Sequence, residues 1–336
     1  MEFTAAVSPP EAGDLRLPLG RYRFRFVLRN PQPVPHFTGS AWRSALDQWL
    51  KQVVCPIQHE ECAKCLAYRA CPYAYIFETP LPEGTEKTKV HGAPPEPFAL
   101  SLPKPLARPV SRYELGLTLF GRANHYLGYI VLALEKAAAK GIWSKVLMEL
   151  EGVDQEPLPG QTWEPIGSGQ LQPYPPASPQ VPQPPRRVRV ELLSPLRLHR
   201  HNGYVQQHNF RFSDLFGQLL CRMSQLRHFH TDQPLKGAFK QLIEAARAVQ
   251  IFEAQLRWLE WKSYSCRQET VLEIGGLVGS FIVRSSELGP LWPYLYLGQW
   301  TQVGQGTSMG LGQYRLEAVD EVHFGKLATP APLVMR

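Results

Sequence analysis

Hydrophobic and polar positions alternate with period two over residues 20–29, GRYRFRFVLR. Tyr22, Phe24, Phe26 and Leu28 face one way, and Arg21, Arg23, Arg25 and Arg29 the other. The pattern predicts a half-buried strand with a basic outer face. After the turn-rich NPQPVPHFTGS the period changes. Trp42, Leu46, Trp49 and Val53 fall on one face of a helix over SAWRSALDQWLKQVV, with Ser40 as its N-cap. Residues 80–109 hold eight prolines and read as irregular with short strands. Residues 113–120 read as a strand, 122–139 as a helix and 143–151 as a strand. The second half repeats the plan. RRVRVELL sets Val188, Val190 and Leu192 against Arg187, Arg189 and Glu191, helical spacing follows over 212–229 and 235–258, and strands follow over 269–283 and 312–319. Each half reads strand–helix–strands–helix–strand. This predicts an α+β chain of two ferredoxin-like domains in tandem, with a cysteine-rich insertion in the first. Residues 154–185, with ten prolines and no Lys or Arg, read as an inter-domain linker or exposed loop, the alternative being an insertion within one domain. The expected domains are therefore 1–153 and 186–336.

A length of 336 residues fits two domains, and 44% hydrophobic with 19% charged residues excludes a wholly disordered chain. No apolar run approaches the ~18 residues of a membrane span. The first twenty residues lack the apolar core of a secretory signal, so a soluble, cytoplasmic protein with no membrane partner is expected. Thiols stay reduced in that compartment. Cys55, Cys62, Cys65 and Cys71 are spaced C-x6-C-x2-C-x5-C, and the C-x2-C step lets two thiolates reach one tetrahedral ion while the outer pair completes four ligands. The expectation is a structural zinc, with an iron–sulfur cluster or free thiols and reversible disulfides as alternatives. Cys221 and Cys266 lack such spacing and are expected in the core.

Lys and Arg outnumber Asp and Glu by 36 to 29, a net charge of +7, which leans towards a polyanionic partner. Much of the excess lies in residues 186–211, where six arginines face one acid, Glu191, and His199, His201 and His208 add potential charge. Tyr204, Phe210 and Phe212 interleave aromatic surface, a mixture suited to single-stranded RNA and hairpin stems. The alternative is a solvated strand face. Near the C-terminus VGQGTSMGLGQYR places Gly304, Gly306, Gly310 and Gly312 within nine residues. Such density lets backbone amides approach an anion, or it makes a tight inter-strand turn. It is neither a P-loop nor a dinucleotide fingerprint.

This block resembles the C-terminal glycine-rich motif of the RAMP superfamily of CRISPR proteins, most closely its endoribonucleases that process precursor CRISPR RNA. Gly275-Gly276 with Gly279, Leu295-Tyr296-Leu297-Gly298, and Val303-Gly304-x-Gly306-Thr307 running into Gly310-Leu311-Gly312-x-Tyr314 carry the resemblance. Gly39-Ser40-x-x-Arg43, CPYAYIFETP at 71–80 and SPLRL at 194–198 add to it. The resemblance implies two RRM-like domains and cleavage of CRISPR repeat RNA, often with the product retained. The implied reaction is metal-independent, by attack of the ribose 2′-hydroxyl, leaving a cyclic phosphate and a 5′-hydroxyl. A non-cleaving subunit that holds CRISPR RNA within an effector complex is the alternative. Partners would be repeat RNA and possible effector subunits, with no direct contact to DNA. The family's basic residues in the loop are replaced here by Gln305 and Gln313.

The reaction needs a base, an acid and cations at the phosphate. Histidine titrates near neutrality and suits the first two roles. His36, just before the first helix, leads; His201 and His208 follow, and His59 lies among the cysteines. Lys51 on the first helix is the candidate cation at phosphorus, and Tyr22 and Tyr204 are candidate proton donors. The expected RNA contacts are Arg43, Arg187, Arg189, Arg197, Arg200, Arg211 and Arg315, with the loop residues Gly304, Gln305, Gly306, Thr307, Ser308, Gly310 and Gly312. His228 and His230 are assigned to a helix end.

Overall fold

The computed structural model describes residues 15–319 except 36, 58–60, 81–93, 144–145, 168–169, 201–202, 232, 234, 236–237 and 266–269. Two β-α-β-β-α-β units follow one another. In the first, β1 (Leu19–Val34) leads into α1 (Gly39–Val54), a 3-10 turn at Cys62–Lys64 and α2 (Pro72–Phe77). Then come β2 (Phe98–Ser101), β3 (Leu106–Phe120), α3 (Leu127–Lys140), β4 (Met148–Gln155) and β5 (Glu164–Gly167). The antiparallel sheet runs β2-β3-β1-β4-β5. The second unit starts with β6 (Arg187–Leu196) and a small hairpin, β7 (His199–Arg200) with β8 (Gly203–Tyr204). It continues through α4 (Phe212–His230), α5 (Phe239–Ala248), β9 (Phe252–Ser265), β10 (Thr270–Arg284), α6 (Ser285–Leu288), α7 (Trp292–Thr301) and β11 (Tyr314–Ala318). Its sheet order is β11-β6-β10-β9. In both units the first strand lies centrally between the third and fourth, which is the ferredoxin-like order, so the tandem α+β fold read from the sequence is the one observed. Among the described residues no helix is long and apolar enough to cross a membrane.

Alternation on β1 buries Tyr22, Phe24, Phe26 and Leu28 beneath the helices. Trp42 of α1 packs 5.1 Å from Phe26 and 5.7 Å from Tyr113, centroid to centroid. Full burial of each such side chain contributes about 1.5–3 kcal/mol. The N-cap of α1 is Thr38, not Ser40; its hydroxyl is 2.8 Å from that of Tyr113. In the second unit Val188 and Val190 of β6 face Leu215, Phe216 and Leu219 of α4 within one core.

Three segments differ from the sequence reading. Residues 154–178 are not a tether. β5 pairs with β4, Gln155 exchanges hydrogen bonds with the backbone of Tyr174, and Ala177 bridges Leu19, so this proline-rich stretch belongs to the first unit. Residues 252–258 form strand rather than helix. Leu256 and Trp258 fit either period, and pairing with β10 decides. Residues 292–301, given no element from the sequence, form α7, whose Trp292, Tyr294, Leu295, Leu297 and Trp300 are all buried. A helix apolar on all sides shows no amphipathic period.

The units dock along an apolar seam of Leu17, Leu19, Ala99, Phe120, Leu226 and Trp300. Polar pins flank it. Gln302 Nε2 donates to Leu100 O at 2.6 Å, and Arg122 donates to Phe229 O at 2.8 Å. His230, fully buried at the end of α4, reaches Pro95 O through Nε2 at 2.8 Å and the Tyr75 hydroxyl through Nδ1 at 3.1 Å. Its role at the helix end is thus to join the units. The carbonyl is the acceptor, so Nε2 carries the proton and Tyr75 donates to Nδ1.

Candidate functional site

The glycine-rich loop leaves α7 and closes on three other segments. It packs against the C-terminal end of β6, where the amides of Gln305 and Gly312 donate to Arg197 O and Pro195 O, both at 3.0 Å. It also meets the N-terminus of α1, where a Cβ at Gly39 would lie 1.8 Å from the carbonyl oxygen of Met309. Within the loop a Cβ at Gly312 would lie 1.8 Å from Val303 O, at a φ of +73°. Glycine at these positions is therefore a packing requirement. The amides of Val303, Gln305, Met309, Gly310, Leu311, Gly312 and Gln313 all donate within the protein. At most Gly304, Gly306, Thr307 and Ser308 are left to offer amides to an anion.

Beside this loop a cleft of about 420 Å³ opens between the units. Phe37 and the β2–β3 turn, Leu102–Pro105, form one wall; Leu193–Pro195, Arg257 and Leu259 form the other, with Gly310 and Gln313 on the floor. Each unit contributes one exposed cation, Lys104 and Arg257. Neither was singled out from the sequence. Lys104 is masked by its prolines, and Arg257 lies in the segment read as helix. On a strand its alternation is legible, because Leu256 and Trp258 pack on the core while Arg257 and Leu259 line the cleft. Gln313, where the resemblance leads one to expect a base, shares this cleft with both cations.

Gln305 has a different support. Arg197 donates to the Tyr204 hydroxyl at 2.7 Å, and Tyr204 donates to Gln305 Oε1 at 3.1 Å. The guanidinium lies 4.7 Å from the Tyr204 ring centroid, with His199 and Trp258 at 5.6 and 6.2 Å from the same ring. A partly exposed aromatic group with a cation thus flanks the loop.

The other expected residues are dispersed. His36, His59, His201 and Cys266 lie outside the described residues; Phe37, next to His36, lines the cleft. His208 is exposed on the turn before α4, apart from the cleft lining. Lys51 stands about 18 Å along α1 from the end that meets the loop, over the Tyr73 ring at 5.4 Å, so the structure does not bring it to the cleft. Tyr22 is buried, its hydroxyl donating to Asn124 at 2.8 Å. Arg43 pairs with Glu96, Arg187 with Glu253, Arg200 with Asp214 and Arg315 with Glu191, so these four charges are already matched. Arg189 reaches Ser280 Oγ at 3.4 Å. Arg211 caps α4, its amide donating to Asp214 at 2.9 Å.

The four cysteines are half-buried at element ends. Cys55 closes α1, Cys62 and Cys65 bracket the 3-10 turn with a 2.9 Å amide-to-carbonyl bond, and Cys71 precedes α2. Burial and the neighbouring Glu78 push the Cys62 thiol above its ordinary pKa. Among the described residues no three His, Cys, Asp or Glu side chains converge to hold an ion. Cys221, expected in the core, is exposed on α4.

Residues 190–314 match the family model of the CRISPR-associated endoribonuclease Cas6. Residues 17–178 match a model described as an N-terminal domain, which includes the proline-rich stretch up to the bridge at Ala177. No curated protein matches the chain by sequence. Among solved structures, a Cas6 product complex is 17% identical with a TM-score of 0.53, over 88% of this chain and 98% of that one. A second Cas6 product complex is 16% identical with a TM-score of 0.52, over 89% and 99%. Thermus thermophilus Cas6 is 15% identical with a TM-score of 0.52, over 90% and 99%. At such identity these likenesses speak for the fold, and the family model speaks for the C-terminal unit that carries the glycine-rich loop. The match to the Cas6 endoribonuclease model thus covers the C-terminal unit, and the chain as a whole shares the fold of these Cas6 structures.

Proposed function

We propose that this protein cuts CRISPR repeat RNA in the cleft between its two units and keeps hold of the product. The observation that carries the reading is convergence: the glycine-rich loop, the start of α1 and the β2–β3 turn meet at one cleft, and each unit brings one exposed cation to it. The 2′-hydroxyl attacks phosphorus, forming the 2′-O–P bond as the P–5′-O bond breaks. Its proton passes to a base, and the departing 5′-oxygen takes a proton from an acid. His36 is the first candidate base, one residue before the cleft-lining Phe37. Lys104 and Arg257 offset the charge gathering on the phosphoryl oxygens, a role usually worth several kcal/mol. The scissile ribose supplies the nucleophile, so the chemistry calls on no metal.

The test is incubation of purified protein with repeat RNA from its own locus in EDTA, beside a copy carrying 2′-deoxyribose at the cut site. Cleavage of the first and not the second is expected. Cleavage of both would overturn 2′-hydroxyl attack. A second reading, a subunit that holds CRISPR RNA without cutting, is favoured by one observation: no histidine is among the described residues of the cleft wall. Tight binding without cleavage selects it. A structural zinc at Cys55, Cys62, Cys65 and Cys71 belongs to the proposal on the strength of their spacing and their places at element ends. It requires the four side chains to close on one point. Metal analysis of purified protein is expected to find one zinc per chain, and finding neither zinc nor iron removes it.

A further inference from the structure

A second hollow, of about 660 Å³, lies at the opposite end of β6 from the cleft. Their nearest lining residues on the strand, Glu191 and Arg187, are about 13 Å apart. Arg186, Arg187 and Arg284 surround it, Phe252 forms one wall, and Ser285 and Ser286 sit at the rim. The site is built rather than incidental. The Arg284 guanidinium lies over the Phe252 ring, 4.2 Å from its centroid. The amide and hydroxyl of Ser285 both donate to Arg186 O, at 3.0 and 3.2 Å, and so fix that backbone against the end of β10. Glu253 adopts a left-handed φ of +47°, rare outside glycine, at the register shift of β9 against β10, and its carboxylate pairs with Arg187. Three guanidiniums thus face one carboxylate. Among the described residues Arg186 and Arg284 are exposed and have no acidic partner.

Forked cations beside an aromatic ring suit a phosphate with its nucleobase. We infer that this hollow binds a nucleotide of the single-stranded RNA flanking the segment held in the cleft; the inference rests on the RNA reading of that cleft. The course of β6 favours a flank over a free nucleotide. Arg187, Arg189, Glu191 and Leu193 alternate on one face of the strand; the last two line the cleft and the first lines the hollow. A strand leaving the cleft along this face meets Arg189 and then the hollow.

The test compares full-length protein with an R186A/R284A variant, first checked for an unchanged thermal midpoint. Three RNAs are titrated: a minimal repeat, the same repeat with about ten unpaired nucleotides added at either end, and an unstructured oligouridylate. Ten nucleotides lies within the reach of common single-strand sites. One of the two extensions is expected to tighten wild-type binding about tenfold and to steepen the salt dependence by about 1.4 log units per log salt, for two phosphates. The variant is expected to lose that gain and its affinity for oligouridylate, yet to bind and cut the minimal repeat as wild type does. An extension that adds nothing to wild-type binding overturns the inference, and so does a gain that survives in the variant. A nucleoside triphosphate that binds wild type but not the variant, with the flank's gain unaltered in both, assigns the hollow to free nucleotides and also overturns it. Failure of the cleft reading shows separately, as a minimal repeat that is neither bound nor cut; oligouridylate binding then still decides for or against the hollow.

Discussion

β1 and β6 open the two ferredoxin-like units with the same text, apolar residues inward and arginines outward, but their charges have different fates. On β1, Arg21 meets Glu156 at 2.8 Å, Arg23 meets Asp154 at 2.7 Å and Arg25 meets Glu151 at 3.3 Å. The side chains of Asp154 and Glu156 are only 5% and 3% exposed, and Trp163 lies 5.2 and 4.9 Å from the Arg21 and Arg23 guanidiniums. The acids come from β4 and the start of the proline-rich stretch, which contains no Lys or Arg. On β6, Arg187 has the exposed Glu253 and Arg189 has a serine hydroxyl, and Arg186, just before the strand, has no acid among the described residues. A basic stripe is a nucleic-acid surface only where the neighbouring strand leaves it unneutralised. The stripe on β1 ties its unit together, whereas that on β6 keeps charge for a partner.

The largest expected effect tests this difference directly. Replacing Lys104, Arg189 and Arg257 together by Ala should weaken repeat-RNA binding about 1000-fold or more, at roughly 1.5–3 kcal/mol per charged contact. The salt dependence should flatten by about 2 log units per log salt. Replacing Arg21, Arg23 and Arg25 should leave that slope unaltered. Equal slopes in the two variants, measured by fluorescence anisotropy across a salt series, would break the comparison.

The comparison holds only while the units stay docked, and His230 makes docking sensitive to acid. Burial, reinforced by the charges of Arg122 and Arg222 and opposed by the bond to Pro95 O, lowers its pKa from 6.5 to about 4. Above pH 6.5 the imidazole is neutral folded and unfolded, and its contribution to stability is whole. Between pH 6.5 and 4 only the unfolded chain takes up the proton, so stability falls by up to about 3 kcal/mol. Urea midpoints measured over that window should decline in wild type and flatten in His230→Gln, which keeps polar groups but does not titrate.

A smaller effect separates the acids of the two stripes. Asp154→Ala should cost about 2 kcal/mol, below the usual figure for a fully buried pair because Arg23 and Arg25 retain some solvent. Glu253→Ala, at an exposed pair, should change stability by less than about 1 kcal/mol. Equal costs in denaturant titrations would mean that β1 and β6 hold their acids alike.

Much of this architecture is legible in the pattern of residues. The alternation on β1 and β6 and the spacing on α1 and α4 point to the elements found, and the glycine block lies within the segment that matches the Cas6 model. Illegible parts share one cause: local pattern does not say which neighbour a segment meets. Arg23 reads as a free surface charge until Asp154 is placed beside it. Arg257 reads as helical until β10 pairs with its strand. Lys51 shares a helix with the cleft-facing Gly39 but stands at the other end. The glycines read as a cradle for phosphate, whereas most of the loop's amides bond within the protein and Gly39 and Gly312 are needed for close backbone packing.

The smallest expected effect concerns Gln305, where the resemblance leads one to expect a basic residue. If Arg197, acting through Tyr204, already supplies charge beside the loop, then Gln305→Lys adds little. The new ammonium would lose the bond from the Tyr204 hydroxyl and meet the Arg197 guanidinium, which bonds the same hydroxyl. Like charges so placed oppose each other, and the site is exposed, so solvent screens much of the gain. Repeat-RNA affinity should rise about threefold, the salt dependence should steepen by no more than about 0.7–0.9 log units for one added phosphate contact, and stability should stay within about 0.5 kcal/mol of wild type. The companion variant Arg197→Lys retains the charge but loses the planar fork that lies over Tyr204, and in that background Gln305→Lys should gain more than in wild type. A gain above tenfold in the wild-type background would show that Arg197 does not stand in for the missing base, and that the loop of this protein is short of charge after all.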